Sequence, residues 1–264
     1  MKFKCLLSVL IFALPLAVAA AIKTETVSYK DGNTELQGII VYDDGIEGVR
    51  PGIIVIHEWW GLNDYVRKRA EMLASLGYVA FAIDMYGKGK VTEHGNQAGE
   101  WMKQITTNVA NWQDRALLGL DILKNHKLVA SSHVAAIGYC FGGATVMQMA
   151  YTGADLKGVA SFHGSLPAPV ADQAQRIKAD FFVAHGNADA FVPPERVAKF
   201  KQAMKRSGVN LQFLGFPGVR HGFTNPQAGK YGIDNLAYEP DADKISWEGL
   251  IDFFEQVFYR KGRR

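Results

Sequence analysis

The chain has 264 residues, 48% of them hydrophobic and 21% charged, with 27 glycines and 9 prolines spread along it. Without repeats or low-complexity segments, it fits one sizeable globular domain, since α/β folds of this length commonly stay undivided. A formal net charge of +3 is too small to argue for a nucleic-acid partner, and the basic ending Arg260-Lys261-Gly262-Arg263-Arg264 reads as a solvated tail.

In chain order, the first segment is a targeting signal. Lys2 and Lys4 form a positive start, and Cys5 to Leu16 is an apolar stretch broken by Pro15. Ala17-Val18-Ala19, or Ala19-Ala20-Ala21, supplies a small-residue cleavage site. The apolar run is too short for a membrane span, so residues 1–21 read as a secretory signal cleaved after Ala19 or Ala21. The mature domain is then 22–264, exported to the periplasm or the medium, with no stable membrane insertion. Cleavage removes Cys5 and leaves Cys140 as the only cysteine. A single thiol builds no internal disulfide, so burial or reactivity must explain it.

Strands are predicted at about Thr24–Tyr29, Leu36–Tyr42, Gly52–His57, Tyr78–Asp84, His133–Ile137, Gly158–His163, Phe181–His185 and Leu211–Phe216. Several are near-continuous apolar runs, as expected of parallel strands covered on both faces. Helical patterns fall at Asn63–Leu76, in one long stretch over about Gln97–Lys124, after Cys140, from Pro193 or Pro194 to Arg206, and at about Ile245–Phe258. The alternation predicts an α/β fold: a doubly wound, mostly parallel sheet of about eight strands with helices on both faces. The first two strands, joined through Asp31-Gly32-Asn33-Thr34, form an antiparallel edge hairpin.

In such sheets chemistry gathers beyond the carboxyl ends of the strands. That rim carries His57-Glu58-Trp59-Trp60, Asp84-Met85-Tyr86, Cys140, His163-Gly164, His185 through Asp189, and His221-Gly222-Phe223. The most informative stretch is Gly138-Tyr139-Cys140-Phe141-Gly142-Gly143, after the apolar run Val134–Ile137. It reads as the strand-to-helix elbow that presents a nucleophile in α/β-hydrolases, with cysteine where serine usually sits. Only hydrogen-sized side chains fit two positions before and after it, hence Gly138 and Gly142. A thiol needs a base, and the base needs a group to fix its tautomer. The order nucleophile, acid, histidine selects Cys140, Asp189 and His221. His185 reads as structural, and His94, His126 and His133 as surface residues.

These motifs, together with Val55 through Asn63, Ala82 through Gly87, and Val192-Pro193, resemble the dienelactone hydrolase family over most of the mature sequence. The resemblance implies an α/β-hydrolase fold and a Cys140–Asp189–His221 triad. It also implies that Glu58 controls protonation of the thiol. Trp59 and Trp60 beside it should desolvate its carboxyl and raise its pKa. The backbone N–H groups of Phe141 and Trp59 would form an oxyanion hole. No metal or organic cofactor is implied. Where the family holds a substrate carboxylate with two arginines, this chain has Lys88 and Asn225, and lysine lacks the two-pronged geometry of arginine. Arg220 lies nearby in sequence. Trp60, Tyr86, Lys88, His163 and Phe223 are the candidate pocket residues.

Two functions follow. One is an exported, cysteine-dependent hydrolase of small esters or lactones, a monomer or small homo-oligomer acting on a small-molecule substrate. The other is a non-hydrolytic protein on the same scaffold that binds a ligand or uses Cys140 as a redox-sensing thiol.

Overall fold

The computed structural model describes residues 21–259. The expected export segment, except its last residue, and the basic ending lie outside the described residues.

Eight strands make one sheet: β1 (Ile22–Asp31), β2 (Thr34–Asp43), β3 (Arg50–Ile56), β4 (Val79–Ile83), β5 (Val129–Tyr139), β6 (Gly158–Phe162), β7 (Asp180–Gly186) and β8 (Leu211–Phe216). Their spatial order is β1-β2-β4-β3-β5-β6-β7-β8. The β1–β2 hairpin sits at one edge, paired antiparallel from Ile22↔Asp43 to Asp31↔Thr34, and turns at Gly32 with φ 55°. β2 meets β4 antiparallel, and every later pairing is parallel. β4 and β6 are buried at every position, which is why they read as unbroken apolar runs.

Seven helices accompany the sheet: α1 (Asp64–Ser75), α2 (Gly95–Thr106), α3 (Val109–Lys124), α4 (Phe141–Tyr151), α5 (Ala171–Arg176), α6 (Pro194–Ser207) and α7 (Pro240–Tyr259). Strand alternation divides the core between the two faces. Ile53 and Val55 of β3 join Val66 and Leu73 of α1 and Leu250, Phe253 and Phe254 of α7 on one side. Ile54 and Ile56 join Leu120 and Leu123 of α3, Met147 of α4 and Phe200 of α6 on the other. Among the described residues no helix is long and apolar enough to cross a membrane.

One expectation is corrected. The stretch Gln97–Lys124 is not one helix but two, α2 and α3. Asn108 breaks it: its backbone is extended (φ −111°, ψ 105°), and its side chain accepts from the amide of Asn111 as the N-cap of α3. A short polar side chain that bonds its own backbone favours a helix start over a helix interior. The six-residue α5 and a 3-10 turn at Ala228–Tyr231 carry no periodic signal and were not predicted. The parallel strands end on one rim, where the loops after β3, β5, β6, β7 and β8 carry Glu58, Cys140, His163, Asp189 and His221.

Candidate active site

The elbow is as sharp as its glycines imply. Cys140 stands between β5 and α4 with φ 54° and ψ −112°, in the left-handed half of backbone space where non-glycine residues are strained. Two bonds pin it to neighbouring strands: Cys140 N donates to Phe162 O at 3.0 Å and Gly142 N to His57 O at 3.1 Å. A Cβ on Gly138 would run into the carbonyl of Gly142, and one on Gly142 into the carbonyls of Ile56 and His57. Cys140 is half-buried at the N-terminus of α4, where the helix dipole favours negative charge.

His221 and Asp189 meet on the adjacent loops. His221 Nδ1 lies 2.6 Å from Asp189 Oδ2, both side chains being buried. Asp189 Oδ1 accepts from Phe191 N at 2.9 Å and from Asn235 Nδ2 at 3.0 Å. Burial alone would raise the pKa of Asp189, but the bonds from His221, Asn235 and Phe191 lower it. The carboxylate therefore fixes the proton on Nδ1 and leaves Nε2 for chemistry. Nε2 is buried without a hydrogen-bond partner. Burial disfavours charge on His221, yet the neighbouring Cys140 and the bond to Asp189 outweigh it and push its pKa up to about 10.

Glu58, just past β3, is buried. Desolvation raises its pKa to about 7 against the opposing pull of Asn225, His221 and Arg69. Its Oε2 accepts from Asn225 Nδ2 at 2.7 Å. Preceding it, His57 is neutral by the same desolvation. Met85 N donates to Nε2, so Nδ1 carries the proton given to Glu58 O. His57 thereby holds the β3 and β4 loops together.

Behind His221 lies a second polar layer. His163 stands edge-on to it at 5.0 Å, with φ 41°. Thr224 Oγ1 joins His163 Nε2 (2.8 Å) to Tyr65 OH (2.6 Å). Desolvation drives the pKa of His163 well down, so it serves this chain as a neutral ring. Arg69, buried among the rings of Tyr65, Tyr139 and Trp247, donates to Thr224 O and to Asp243 Oδ1.

Cys140 and His221 open on a cleft of about 240 Å³. It is lined from α2, α3 and α4 by Met102, Thr106, Trp112, Phe141 and Ala144, and from the loops by Trp59, Ser165, Phe191, Val192 and Leu236. Phe141 N begins α4, so it has no acceptor within its own helix.

The structure thus brings Cys140, His221, Asp189, Glu58, Trp59 and Phe141 to one rim. The expected pocket residues lie elsewhere. Trp60 is buried and stacked on Tyr231, with centroids 3.9 Å apart. Tyr86 is buried against His57 and Phe141, its hydroxyl unpartnered. His163 and Phe223 form the layer behind His221. Lys88 is exposed, outside the cleft lining. Arg220 donates to Asp234 O, and Asn225 is turned onto Glu58. Sequence reasoning missed Asn235, Thr224 and the cleft walls from α2 and α3. A helical residue that faces a cleft has the same spacing as one that faces a core.

The chain has known relatives. A family model described as the dienelactone hydrolase family matches residues 37–258. The crystal structure of the dienelactone hydrolase-like promiscuous phosphotriesterase P91, from metagenomic libraries, superimposes with a TM-score of 0.87 at 38% identity, over 90% of this chain and 99% of that one. A structure designated m3DLH gives 0.87 at 35% identity, with the same coverages. Protein usf of Aquifex pyrophilus is 29% identical over 210 residues, 78% of this chain and 88% of that protein. On the fold, the rim and these likenesses together, the chain belongs to the dienelactone hydrolase family and is a hydrolase of the ester and lactone type.

Proposed function

We propose that the mature chain is an exported thiol hydrolase of small esters and lactones, with Cys140 as nucleophile, His221 as acid and base, and Asp189 as the group that orients it. The observation that carries this reading is the 2.6 Å bond between His221 Nδ1 and Asp189, which leaves a buried, unpartnered Nε2 beside a cysteine in strained elbow geometry.

The Cys140 thiolate attacks the carbonyl carbon, and an S–C bond forms as the carbonyl electron pair moves to oxygen. The N–H groups of Phe141 and Trp59 donate to that oxyanion. When the intermediate collapses, the C–O bond breaks and the alkoxide takes the proton from His221 Nε2. His221, now neutral, accepts a proton from water, whose hydroxide attacks the thioester and releases the acid and the thiolate. Glu58, with a pKa raised to about 7 by burial, takes up the thiol proton as the thiolate forms. Asn225 keeps that carboxyl in position.

The test is the initial rate on 4-nitrophenyl acetate for the mature protein and Cys140→Ala, together with intact-mass detection of an acetyl adduct. Loss of turnover and adduct in Cys140→Ala supports the reading. Unchanged turnover in Cys140→Ala overturns it. Export is supported by Lys2, Lys4 and the apolar run to Leu16. Cell fractionation with N-terminal sequencing tests it, the expected mature start being Ala20 or Ile22.

A further inference from the structure

Resting on the hydrolase reading above, we propose that the wall formed by Met102, Trp112 and Ala144 is an acyl pocket for an uncharged, apolar group, and that Ala144 sets its depth. His221 protonates the leaving oxygen, so the leaving group lies toward the loops after β7 and β8. The acyl group then lies on the opposite side of Cys140, against the helices α2, α3 and α4. That side is apolar and rigid. The Trp112 ring is stacked with Phe141 (5.9 Å, 13°). Its one polar atom is turned away, since Nε1 donates to Thr145 Oγ1 at 2.9 Å. The single hydroxyl on this wall, that of Thr106, donates to its own helix at Met102 O, 3.0 Å away.

A carboxylate in the acyl group would meet no cation there. Lys88 and Arg220 are outside the cleft lining, and Arg115 is committed to Asp31 at 2.6 Å. An unpaired buried carboxylate is costly. Ala144 is buried one helical turn beyond Cys140, and its small side chain leaves the cleft open beneath the thiol. A larger residue would fill that space and leave the polar machinery untouched.

The experiment compares kcat/KM for the 4-nitrophenyl esters of acetate, hexanoate and hydrogen adipate, the last two matched in length and differing in terminal charge. The hexanoate is expected to exceed the adipate by more than about tenfold, equivalent to at least ~1.4 kcal/mol. Ala144→Leu is expected to lower the ratio of hexanoate to acetate kcat/KM by about tenfold or more, the loss coming from volume taken out of a close-packed site. An adipate turned over as fast as the hexanoate, or equal losses on acetate and hexanoate in Ala144→Leu, would overturn the proposal.

Absence of Cys140-dependent turnover of the acetate strikes the hydrolase reading instead. The pocket is then tested by binding to Cys140→Ala, through fluorescence of Trp59 and Trp112. Saturable quenching by hexanamide and none by the adipic monoamide supports the pocket. Quenching by both, or by neither, overturns it.

Discussion

Asn225 Nδ2 donates to Glu58 Oε2 across 2.7 Å, between two side chains 167 positions apart and both buried. The bond ties the loop after β3 to the loop that carries His221. It also turns the amide nitrogen of the asparagine onto Glu58.

The proton on Glu58 is coupled to folding. Its pKa of about 7 in the folded chain lies above the ordinary 4.5, so the folded state holds the proton more tightly than the unfolded one. The stability this contributes is full below about pH 4.5 and is lost as pH rises through about 7. Relative to the wild type, Glu58→Gln should therefore gain up to about 3 kcal/mol between pH 4 and pH 8. Urea denaturation at the two pH values measures it, and a constant gap would show that burial does not raise this carboxyl.

Asp189→Asn keeps the shape of the acid but loses control of the His221 tautomer. It should lower kcat by at least about 100-fold with little change in KM. Asn235→Ala removes one of several bonds to the same carboxylate and should cost less than about tenfold. Steady-state kinetics on 4-nitrophenyl acetate distinguish the two.

Gly142→Ala drives a methyl group into the backbone carbonyls of Ile56 and His57, which cannot swing aside as a side chain would. A loss of about 3 kcal/mol, or failure to fold, is expected. A fully active, equally stable Gly142→Ala protein would mean that the turn is looser than described.

Thr224→Val leaves two buried groups, His163 Nε2 and Tyr65 OH, without the hydroxyl that joins them. A cost of roughly 1–3 kcal/mol per stranded group is expected. The double variant Tyr65→Phe, Thr224→Val should recover part of it, as thermal denaturation would show.

Lys88→Ala and Arg220→Ala should each change kcat/KM on neutral esters by less than about twofold, since surface charges away from a cleft contribute little. A large KM increase for either would bring that side chain into the substrate's reach.

The rim was legible in the sequence and its walls were not. Several parallel strands are near-continuous apolar runs that end in a polar residue, as β3, β4, β6 and β7 do near His57, Asp84, His163 and His185, so the chemistry falls at strand ends; β8 matches its predicted span Leu211–Phe216. Asp189 and His221 follow from loop order alone. The junction of α2 and α3 carries a cap signal, Asn108, but the apolar spacing runs on across it and hides the break. Lys88 is expected in the pocket from the place it holds in the family's pattern, and Trp60 from its neighbourhood in sequence. Consecutive side chains of one loop diverge: Glu58 is buried on Asn225, Trp59 lines the cleft and Trp60 is buried on Tyr231. Asn225 on Glu58 is a long-range pairing that no local pattern encodes.

Arg69 touches no part of the cleft, yet it braces the loop that holds His221. Its guanidinium bonds Thr224 O with one nitrogen and Asp243 of α7 with the same nitrogen, so the histidine loop leans on the chain's last helix. A truncation or charge reversal at the start of α7 would be felt as slackness in the base, far from any substrate. On the proposed mechanism, inactivating lesions need not lie near the thiol; α7 is the keystone against which the loop of His221 is set.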